Sequence, residues 1–393
     1  MTMTIAAPPW QDLFQRLLSE LDHRGSADWQ ADQARLDPAI YHDPQRYQAE
    51  RDRLFRRLPL CLGHADQLSE PGSVVAFELC GVPVLMARHR DGEVRVFLNV
   101  CRHRGARLIA EEGTVCHKQS LVCPYHAWTY RLDGTLAGLP RPEAFPDVRR
   151  HLLGLRRLPS TVRHGLIWAV LDPAADGADS NRTLDIAGYL GDLDRDLEAI
   201  SIGRHRFYRQ HAVRRATNWK LIVDAFLEVY HVTRLHAGTI GSFFADSVSV
   251  GDAVGLHQRY LVARDRTAEI RALPPERWNP QVHGTLVHFV FPNSIIVYHP
   301  DYISHLGMFP SAPGETLFIH TMLTPKLPAD AKEEAHWTRS FELMDGGVFN
   351  GEDLAICEQI QRGLSSGAND GLILGRLEQN LCRFHGNLDA ALR

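Results

Sequence analysis

The chain has 393 residues, of which 44% are hydrophobic and 23% charged, and its formal net charge is −4 at pH 7. These values are ordinary for a globular enzyme of two domains, and the small charge gives no reason to expect nucleic acid as the main partner. No uncharged run approaches the roughly 18 to 20 residues that span a bilayer, and the first residues lack the pattern of a signal peptide. We therefore expect a cytoplasmic protein that binds neither nucleic acid nor a membrane.

The first half of the chain changes from helical to β-rich patterns. Periodic apolar residues predict helices over 10–22 and 43–58, the second beginning at an Asp-Pro pair. From about 60 to 171, short β-rich runs separated by Gly, Pro and Asp turn signals indicate a small all-β domain. The polar stretch 172–183, rich in Gly, Ala and Asp, is typical of a linker.

After this linker the patterns mix, so we predict an α+β region. Residues 218–232 and 352–364 show helical periodicity, whereas 284–299 and 315–323 are typical of strands. The domain organisation predicted from these patterns has three segments: a helical segment 1–50, a β domain 51–172 and an α+β domain 173–393.

Two Cys/His pairs lie in the β domain. Cys101 and His103 are two apart, Cys123 and His126 are three apart, and 19 residues separate the pairs. Each pair lies in a tight loop between β-like runs, which lets the four side chains converge. Such a set can hold a tetrahedral zinc ion, or a [2Fe–2S] cluster with the cysteines on one iron and the histidines on the other. The remaining cysteines, including Cys116 between the pairs, are expected to be buried thiols, because an odd total of seven argues against a disulfide framework.

A second group of ligand-type residues lies in the α+β region. On a continuous helix Asp224, Glu228 and His231 would project from one face, at positions i, i+4 and i+7. His236 falls off that face unless the helix ends before it, which the β-branched residues after His231 favour. Two histidines with one carboxylate, and no thiolate, are typical of a mononuclear iron that activates O₂.

The strings NVCRHRGARL (99–108) and CPYHAWTYRLDG (123–134) resemble the cluster-binding loops of Rieske iron–sulfur proteins. Ala106 and Tyr125 stand where respiratory Rieske proteins carry an extra cysteine, which favours the oxygenase branch, although the separation of the loops is slightly longer than usual there. The run from Asp224 to His236 resembles the signature of the α subunits of Rieske non-haem iron oxygenases, the aromatic-ring-hydroxylating family. The resemblance extends from about residue 50 to the C-terminus.

The resemblance implies a fold and two cofactors. The fold is an N-terminal all-β Rieske [2Fe–2S] domain followed by an α+β catalytic domain of the helix-grip, START-like type. The cofactors are a Rieske cluster and a mononuclear Fe(II). The implied cluster ligands are Cys101, His103, Cys123 and His126. The implied iron ligands are His231, His236 and an aspartate for which Asp353 is the best match, with adjacent Glu352 as the competitor.

Two further carboxylates, Asp224 and Glu228, are implied to serve catalysis. In the family a carboxylate at the position of Glu228 links a cluster histidine of one subunit to an iron-binding histidine of its neighbour across a trimer interface. Most members have aspartate there. Glutamate also occurs in branches that act on quaternary amines, so the resemblance points to that substrate class through Glu228.

No G-x-G-x-x-G follows a strand-like run and no P-loop is present, so we expect electrons to come from a separate reductase or ferredoxin. The resemblance implies the terminal oxygenase of a multicomponent system, a homotrimer that uses O₂ to hydroxylate, dihydroxylate or oxidatively dealkylate a small aromatic or quaternary amine substrate. The pocket is expected to use the strands of 284–323 and the segment after His236. The alternatives are a Rieske-type electron carrier without oxygenase activity and a non-catalytic zinc-binding protein.

Overall fold

The computed structural model of the protein describes residues 9–23, 29–173 and 184–393. The chain forms two compact units, Arg51–Ile186 and a second that combines Met1–Glu50 with Ala187–Arg393. The predicted linker 172–183 lies outside the described residues from 174 onward. No helix in the described ranges is long and apolar enough to cross a membrane.

Nineteen strands lie in the described residues. In chain order they are β1 (Ala34–Leu36), β2 (Leu60–His64), β3 (Ser73–Leu79), β4 (Val82–Arg88), β5 (Val94–Leu98), β6 (Cys116–His117), β7 (Leu121–Val122), β8 (Thr129–Tyr130), β9 (Leu136–Gly138), β10 (Ser160–Arg163), β11 (Leu166–Ala169), β12 (Arg206–Arg215), β13 (Phe244–Val254), β14 (His257–Arg264), β15 (Gly284–Val290), β16 (Ser294–Tyr298), β17 (Ile303–Ala312), β18 (Glu315–Thr324) and β19 (Leu372–Leu374).

Ten α-helices lie in the described residues. They are α1 (Gln11–Asp22), α2 (Pro44–Glu50), α3 (Ile186–Leu190), α4 (Leu193–Ala199), α5 (Trp219–Phe226), α6 (Val232–Leu235), α7 (Pro280–His283), α8 (Ala331–Glu342), α9 (Leu354–Leu364) and α10 (Gln379–Leu392). Two π-helical segments, Arg51–Phe55 and Leu343–Asp353, continue α2 and connect α8 to α9.

The unit Arg51–Ile186 is built from antiparallel sheets, as the short β-rich runs predicted. Its sheets have the strand orders β5-β4-β3-β6, β10-β11-β2 and β7-β8-β9. Strand β3 is buried along nearly its whole length because its apolar residues face the interior on both sides. The two loops that carry the Cys/His pairs follow β5 and join β7 to β8, so regular strands fix the ends of each loop.

The other unit has one large sheet and several helices, which confirms the predicted α+β class. Seven antiparallel strands follow the order β12-β18-β17-β16-β15-β14-β13. Helices α5 and α9 lie side by side, where the thiol of Cys357 donates to the carbonyl of Leu221 at 3.4 Å. These two helices and the segment Leu343–Asp353 carry or flank most of the site residues predicted for this unit.

The prediction of one helix over 218–232 is wrong, because α5 ends at Phe226 and α6 begins only at Val232. In a continuous helix the carbonyl of Phe226 would accept from the N–H of Tyr230. Here the Tyr260 hydroxyl donates to that carbonyl, and the N–H of Tyr230 donates to the Glu228 carboxylate instead. The Glu228 carboxylate also accepts from the N–H of His231 at 3.2 Å, so it starts the next turn in the way of an N-cap side chain.

The helix predicted over 352–364 exists but begins at Leu354, after a π-helical segment. That segment contains three glycines, which favour an α-helix less than other residues do. Its widened turns end at Asp353, and such π segments often occur at functional sites. The helix predicted over 43–58 likewise changes to π geometry after Glu50 and ends at Phe55.

Candidate functional site

The loops that carry the two Cys/His pairs share one backbone pattern. The N–H of Cys101 donates to the carbonyl of Ala106 at 2.8 Å, and the N–H of Cys123 donates to the carbonyl of Trp128 at 2.8 Å. The carbonyl of each cysteine accepts from the residue four positions later, Gly105 or Ala127, at 3.0 Å. Both of these residues have positive φ, +80° and +57°. The backbone therefore presents the two pairs in equivalent turns.

The four side chains are divided between the interior and the surface. Cys101 and Cys123 are buried in one apolar cluster with Trp128. The ring of His103 stacks on Trp128, with centroids 4.9 Å apart, and lies 4.8 Å from the ring of His126, which is exposed. Two thiols lie in the interior and two imidazoles lie nearer the surface. This arrangement suits a [2Fe–2S] cluster in which cysteines bind one iron and histidines bind the other.

The Nδ1 atom of His103 supports this fit. It is buried, and within the described residues it forms no hydrogen bond. A buried nitrogen without a partner is costly, so an atom held in this way suits a metal ligand. Burial, followed by the charges of His126 and Arg104, lowers the pKa of His103 and favours the neutral form that binds metals.

Tyr130 lies directly beside Cys101. Its hydroxyl is 3.3 Å from the Cys101 sulfur and accepts from the N–H of Arg102 at 2.9 Å. Burial first, and then the hydrogen bond to Cys101, raise the pKa of Tyr130, which keeps the hydroxyl protonated. By contrast, Cys116 lies in β6, where it pairs with Val74 of β3, outside the two loops.

In the α+β unit the fold brings together a second group of possible ligands, which consists of His231, His236 and Asp353. One ligand atom from each lies within 4.8 Å of the others. The Nε2 atoms of His231 and His236 are 3.6 and 3.2 Å from Oδ1 of Asp353. The histidines flank α6 at its two ends, and Asp353 ends the π-helical segment, so the irregular turns described above bring the three residues to one point.

Carboxylates hold both imidazoles from behind. Nδ1 of His231 contacts the Glu228 carboxylate, and Nδ1 of His236 is 2.6 Å from Oε2 of Glu352. Oε2 of Glu352 also accepts from the hydroxyl of Thr239 at 2.8 Å. These contacts place the proton of each ring on Nδ1 and leave Nε2 free as a ligand atom.

Oδ1 of Asp353 is buried and forms no hydrogen bond among the described residues. Burial opposes protonation of His236, but the carboxylates of Asp353 and Glu352 outweigh it and raise its pKa above the ordinary value. A divalent cation at this point would satisfy the unpartnered oxygen. Two imidazole nitrogens and one carboxylate oxygen fit a non-haem Fe(II) ion.

Asp224 does not join this group, because α5 ends before Glu228 and the two carboxylates no longer share a helix face. Its carboxylate instead accepts from the hydroxyl of Tyr41 at 2.7 Å and lies 2.9 Å from Nε2 of His385. The expectation that Asp224, Glu228 and His231 lie on one helix face is therefore wrong. A catalytic role for Asp224 stays a prediction.

A cavity of about 250 Å³ opens beside the second group. His231, His236 and Asp353 form part of its wall, and the remainder is mostly apolar. As expected, the cavity draws on the strands of 284–323 and on the segment after His236. Its aromatic lining residues are Phe226, Phe243, Phe244, Tyr260, Tyr302 and Phe349.

The family model for the catalytic domain of the ring hydroxylating alpha subunit matches residues 202–393, and the model for the Rieske [2Fe-2S] domain matches residues 59–156. The chain belongs to the α subunits of the Rieske non-haem iron oxygenases. A Rieske oxygenase α subunit carries a [2Fe–2S] cluster and a mononuclear iron, and it is an O₂-dependent oxidoreductase, the terminal oxygenase of a multicomponent system.

Two curated relatives illustrate the similarity. The carnitine monooxygenase oxygenase subunit of Acinetobacter baumannii is 27% identical over 340 residues, which cover 83% of this chain and 84% of the relative. The biphenyl 2,3-dioxygenase subunit alpha of Rhodococcus jostii is 33% identical over 221 residues, which cover 56% of this chain and 47% of the relative.

Solved structures show the same fold. A quaternary ammonium Rieske monooxygenase in complex with an inhibitor superposes with a TM-score of 0.77 at 19% identity, covering 98% of both chains. Naphthalene 1,2-dioxygenase from a Rhodococcus species, bound to indole, superposes with a TM-score of 0.75 at 21% identity, covering 97% of this chain and 98% of the other.

Sequence reasoning missed several residues that this Rieske oxygenase places at its centres. Tyr130 and Trp128 lie inside the quoted loop, but no spacing rule indicates that they contact Cys101 and His103. The sequence indicates Glu352 only as a rival ligand to Asp353, whereas in the structure its carboxylate contacts Nδ1 of His236. Only the pairing of distant elements reveals this contact.

Proposed function

We propose that Cys101, His103, Cys123 and His126 hold the Rieske cluster and that His231, His236 and Asp353 hold the iron. When bound, the cluster supplies one-electron transfer and the iron supplies O₂ activation. The observation that carries this proposal is the buried Oδ1 of Asp353, which has no hydrogen bond within the described residues and faces two Nε2 atoms. The matching observation for the cluster is the unpartnered Nδ1 of His103.

The protein's own groups orient the ligands and shape the reaction space. Glu228 and Glu352 fix the tautomers and ring orientations of the two histidines. The apolar wall of the cavity excludes water and receives the hydrocarbon part of a substrate. Oxygen insertion beside this wall would give a hydroxylated, dihydroxylated or oxidatively dealkylated product.

Two substrate classes fit the aromatic wall, and relatives act on both. Aromatic rings pack against phenylalanine and tyrosine side chains in edge-to-face or offset-stacked pairs, whereas a quaternary ammonium is attracted to their faces. The relatives include a carnitine monooxygenase and a biphenyl dioxygenase. We therefore propose a small aromatic or quaternary amine substrate.

The proposed partners follow from the same family. A separate reductase or ferredoxin would deliver electrons, and the exposed side chains of Val122 and Tyr125 beside His126 offer it an apolar contact. We propose a cytoplasmic homotrimer without an obligatory β subunit. In that assembly Glu228, behind His231, would link to a cluster histidine of the neighbouring subunit.

Metal analysis combined with O₂ uptake tests this function against the two alternatives. The amounts of iron and acid-labile sulfide should correspond to one [2Fe–2S] cluster and one further iron per chain. The protein should also show a Rieske electron paramagnetic resonance spectrum. O₂ uptake with a surrogate reductase should depend on substrate, screened across aromatic acids, polycyclic compounds and quaternary amines. A cluster without additional iron would indicate an electron carrier, and a colourless zinc protein would overturn the assignment.

A further inference from the structure

The cavity beside the second group contains one arginine, Arg264, at the end of β14. Its side chain is half-buried. Within the described residues the guanidinium has no hydrogen bond and no ion pair. The guanidinium lies over the ring of Phe244, 5.7 Å from its centroid. A cation over an aromatic face leaves its in-plane N–H groups available to an acceptor.

The other arginines near this edge of the sheet are paired. Arg259 contacts Asp196 and Asp252 at 3.1 Å, and Arg266 contacts Glu269 at 2.8 Å. Burial lowers the pKa of Arg264, and the neighbouring charge of Asp265 offsets this only in part, without forming an ion pair. A half-buried guanidinium without a counter-ion is costly, and an anionic ligand would relieve that cost.

A third carboxylate of the cavity wall, that of Asp301, forms no ion pair with Arg264 within the described residues. Asp301 lines the cavity, but its Oδ2 lies 2.6 Å from Nε2 of His336. The remaining cavity carboxylates, Glu228 and Asp353, belong to the proposed iron site. Arg264 therefore faces a cavity whose acidic groups are already engaged.

Two neutral donors stand beside Arg264 in the same wall. The rings of His299 and Tyr302 stack at 4.3 Å, and Nε2 of His299 is buried without a hydrogen bond in the described residues. Burial first, then the charges of His320 and Arg264, lower the pKa of His299 to about 3, so its ring is neutral. Burial and Asp301 raise the pKa of Tyr302, so its hydroxyl stays protonated. A neutral imidazole and a phenol can each donate one hydrogen bond to an oxygen anion.

We propose that Arg264, assisted by His299 and Tyr302, binds a carboxylate of the substrate, so that this oxygenase selects small organic acids over neutral or purely cationic molecules of the same shape. The proposal rests on the proposed function for the statement that the bound acid is the substrate. The fork of an arginine matches a carboxylate in a bidentate way. A simple quaternary amine without an acid group would meet an uncompensated positive charge, whereas a betaine would not.

The experiment compares acids with their primary amides, which have nearly the same shape and no charge. The probes are benzoate with benzamide and γ-butyrobetaine with its amide, titrated by calorimetry into the fully metallated protein. Charge-assisted hydrogen bonds predict that, in at least one pair, the acid binds about 10- to 100-fold more tightly than its amide. Arg264→Gln should abolish the preference without weakening amide binding, and Arg264→Lys should keep part of it.

Arg266→Gln is the matched control, because it removes an equal charge only two residues from Arg264. The Arg266 side chain is exposed, is paired with Glu269 and is absent from the cavity wall. This variant should leave the acid preference unchanged. For any probe that is oxidised, Arg264→Gln should raise KM more than it lowers kcat, since the guanidinium acts on binding.

The outcomes separate this proposal from the oxygenase function. A wild-type protein that binds neither acid more tightly than its amide overturns the proposal, whether or not it oxidises them. A preference that persists in Arg264→Gln overturns it as well. An acid preference that requires Arg264, in a protein that consumes no O₂ with any substrate, would support the anion site and contradict the oxygenase. If the Arg264 variants do not fold, the comparison of acid with amide in the wild-type protein decides.

Discussion

The two candidate metal centres of this chain are built in opposite ways. The loop centre takes its four residues from one short stretch, Cys101 to His126, and holds them by backbone hydrogen bonds that repeat from one loop to the other. The helical centre takes its residues from positions as far apart as His231 and Asp353 and holds them by side chains. A local backbone pattern defines the first centre, whereas carboxylate contacts and irregular helices define the second.

This difference has consequences for robustness. In the loop centre each cysteine is anchored in a turn by its own N–H and carbonyl, so a neighbouring side chain can change without moving it. In the helical centre the orientation of the two imidazoles depends on Glu228 and Glu352. Each carboxylate also accepts a second hydrogen bond, Glu228 from the N–H of Tyr230 and Glu352 from the hydroxyl of Thr239. We therefore expect variants outside the ligand set to matter more at the second centre than at the first.

The largest expected effect is loss of the cluster when one of its ligands is removed. Cys101→Ser and His126→Ala should abolish the Rieske absorption and electron paramagnetic resonance signals, because each removes one of four proposed ligands. Cys116→Ser is the control and should keep both signals, since Cys116 lies in β6. A wild-type spectrum in either ligand variant would refute the assignment of this loop.

The next effect separates the two centres. His231→Ala, His236→Ala and Asp353→Ala should each lose the mononuclear iron and turnover while keeping the Rieske spectrum, which iron analysis combined with spectroscopy would measure. Glu352→Gln should be milder, lowering iron affinity about 10- to 100-fold, because Glu352 supports His236 from behind. If Glu352→Gln empties the site and Asp353→Ala does not, the wrong carboxylate has been assigned as ligand.

The contrast between the centres also explains what the sequence could predict. The spacing of Cys101, His103, Cys123 and His126 is local, so a pattern along the chain is enough to propose them as a set. The end of α5 was not predictable in this way, because it depends on the hydroxyl of Tyr260, in β14, reaching the carbonyl of Phe226. The position of Glu352 behind His236 likewise depends on where the π-helical segment ends. Arg264 could not be recognised either, since lack of a counter-ion is a property of the folded surroundings.

A third prediction tests whether the support behind His231 also serves electron transfer. Glu228→Ala should leave both metals in place and the cluster reducible, yet slow single-turnover oxidation of the reduced cluster in the presence of substrate and O₂ by about 10- to 100-fold. Glu228→Asp, which is one methylene shorter, should recover part of the rate.

The structure adds a control to this prediction, because Glu228 also accepts the N–H groups of Tyr230 and His231. A variant that only loosened this turn would lose iron together with rate. Stopped-flow measurements must therefore use fully metallated protein. An unchanged rate in such Glu228→Ala protein would remove Glu228 from the electron path.

The smallest expected effect concerns the Tyr130 hydroxyl, which lies beside the sulfur of Cys101. Once Cys101 is a thiolate ligand, Tyr130 must be the donor of their 3.3 Å contact, because the sulfur no longer carries a proton. A hydrogen bond to sulfur stabilises the more negative, reduced cluster, so Tyr130→Phe should lower its reduction potential. A net contribution of about 0.5–1.5 kcal/mol corresponds to roughly 20–60 mV for one electron. Potentiometric titration would measure the shift with both metals retained, and a potential that stays constant or rises would show that the Tyr130 hydroxyl does not stabilise the reduced state.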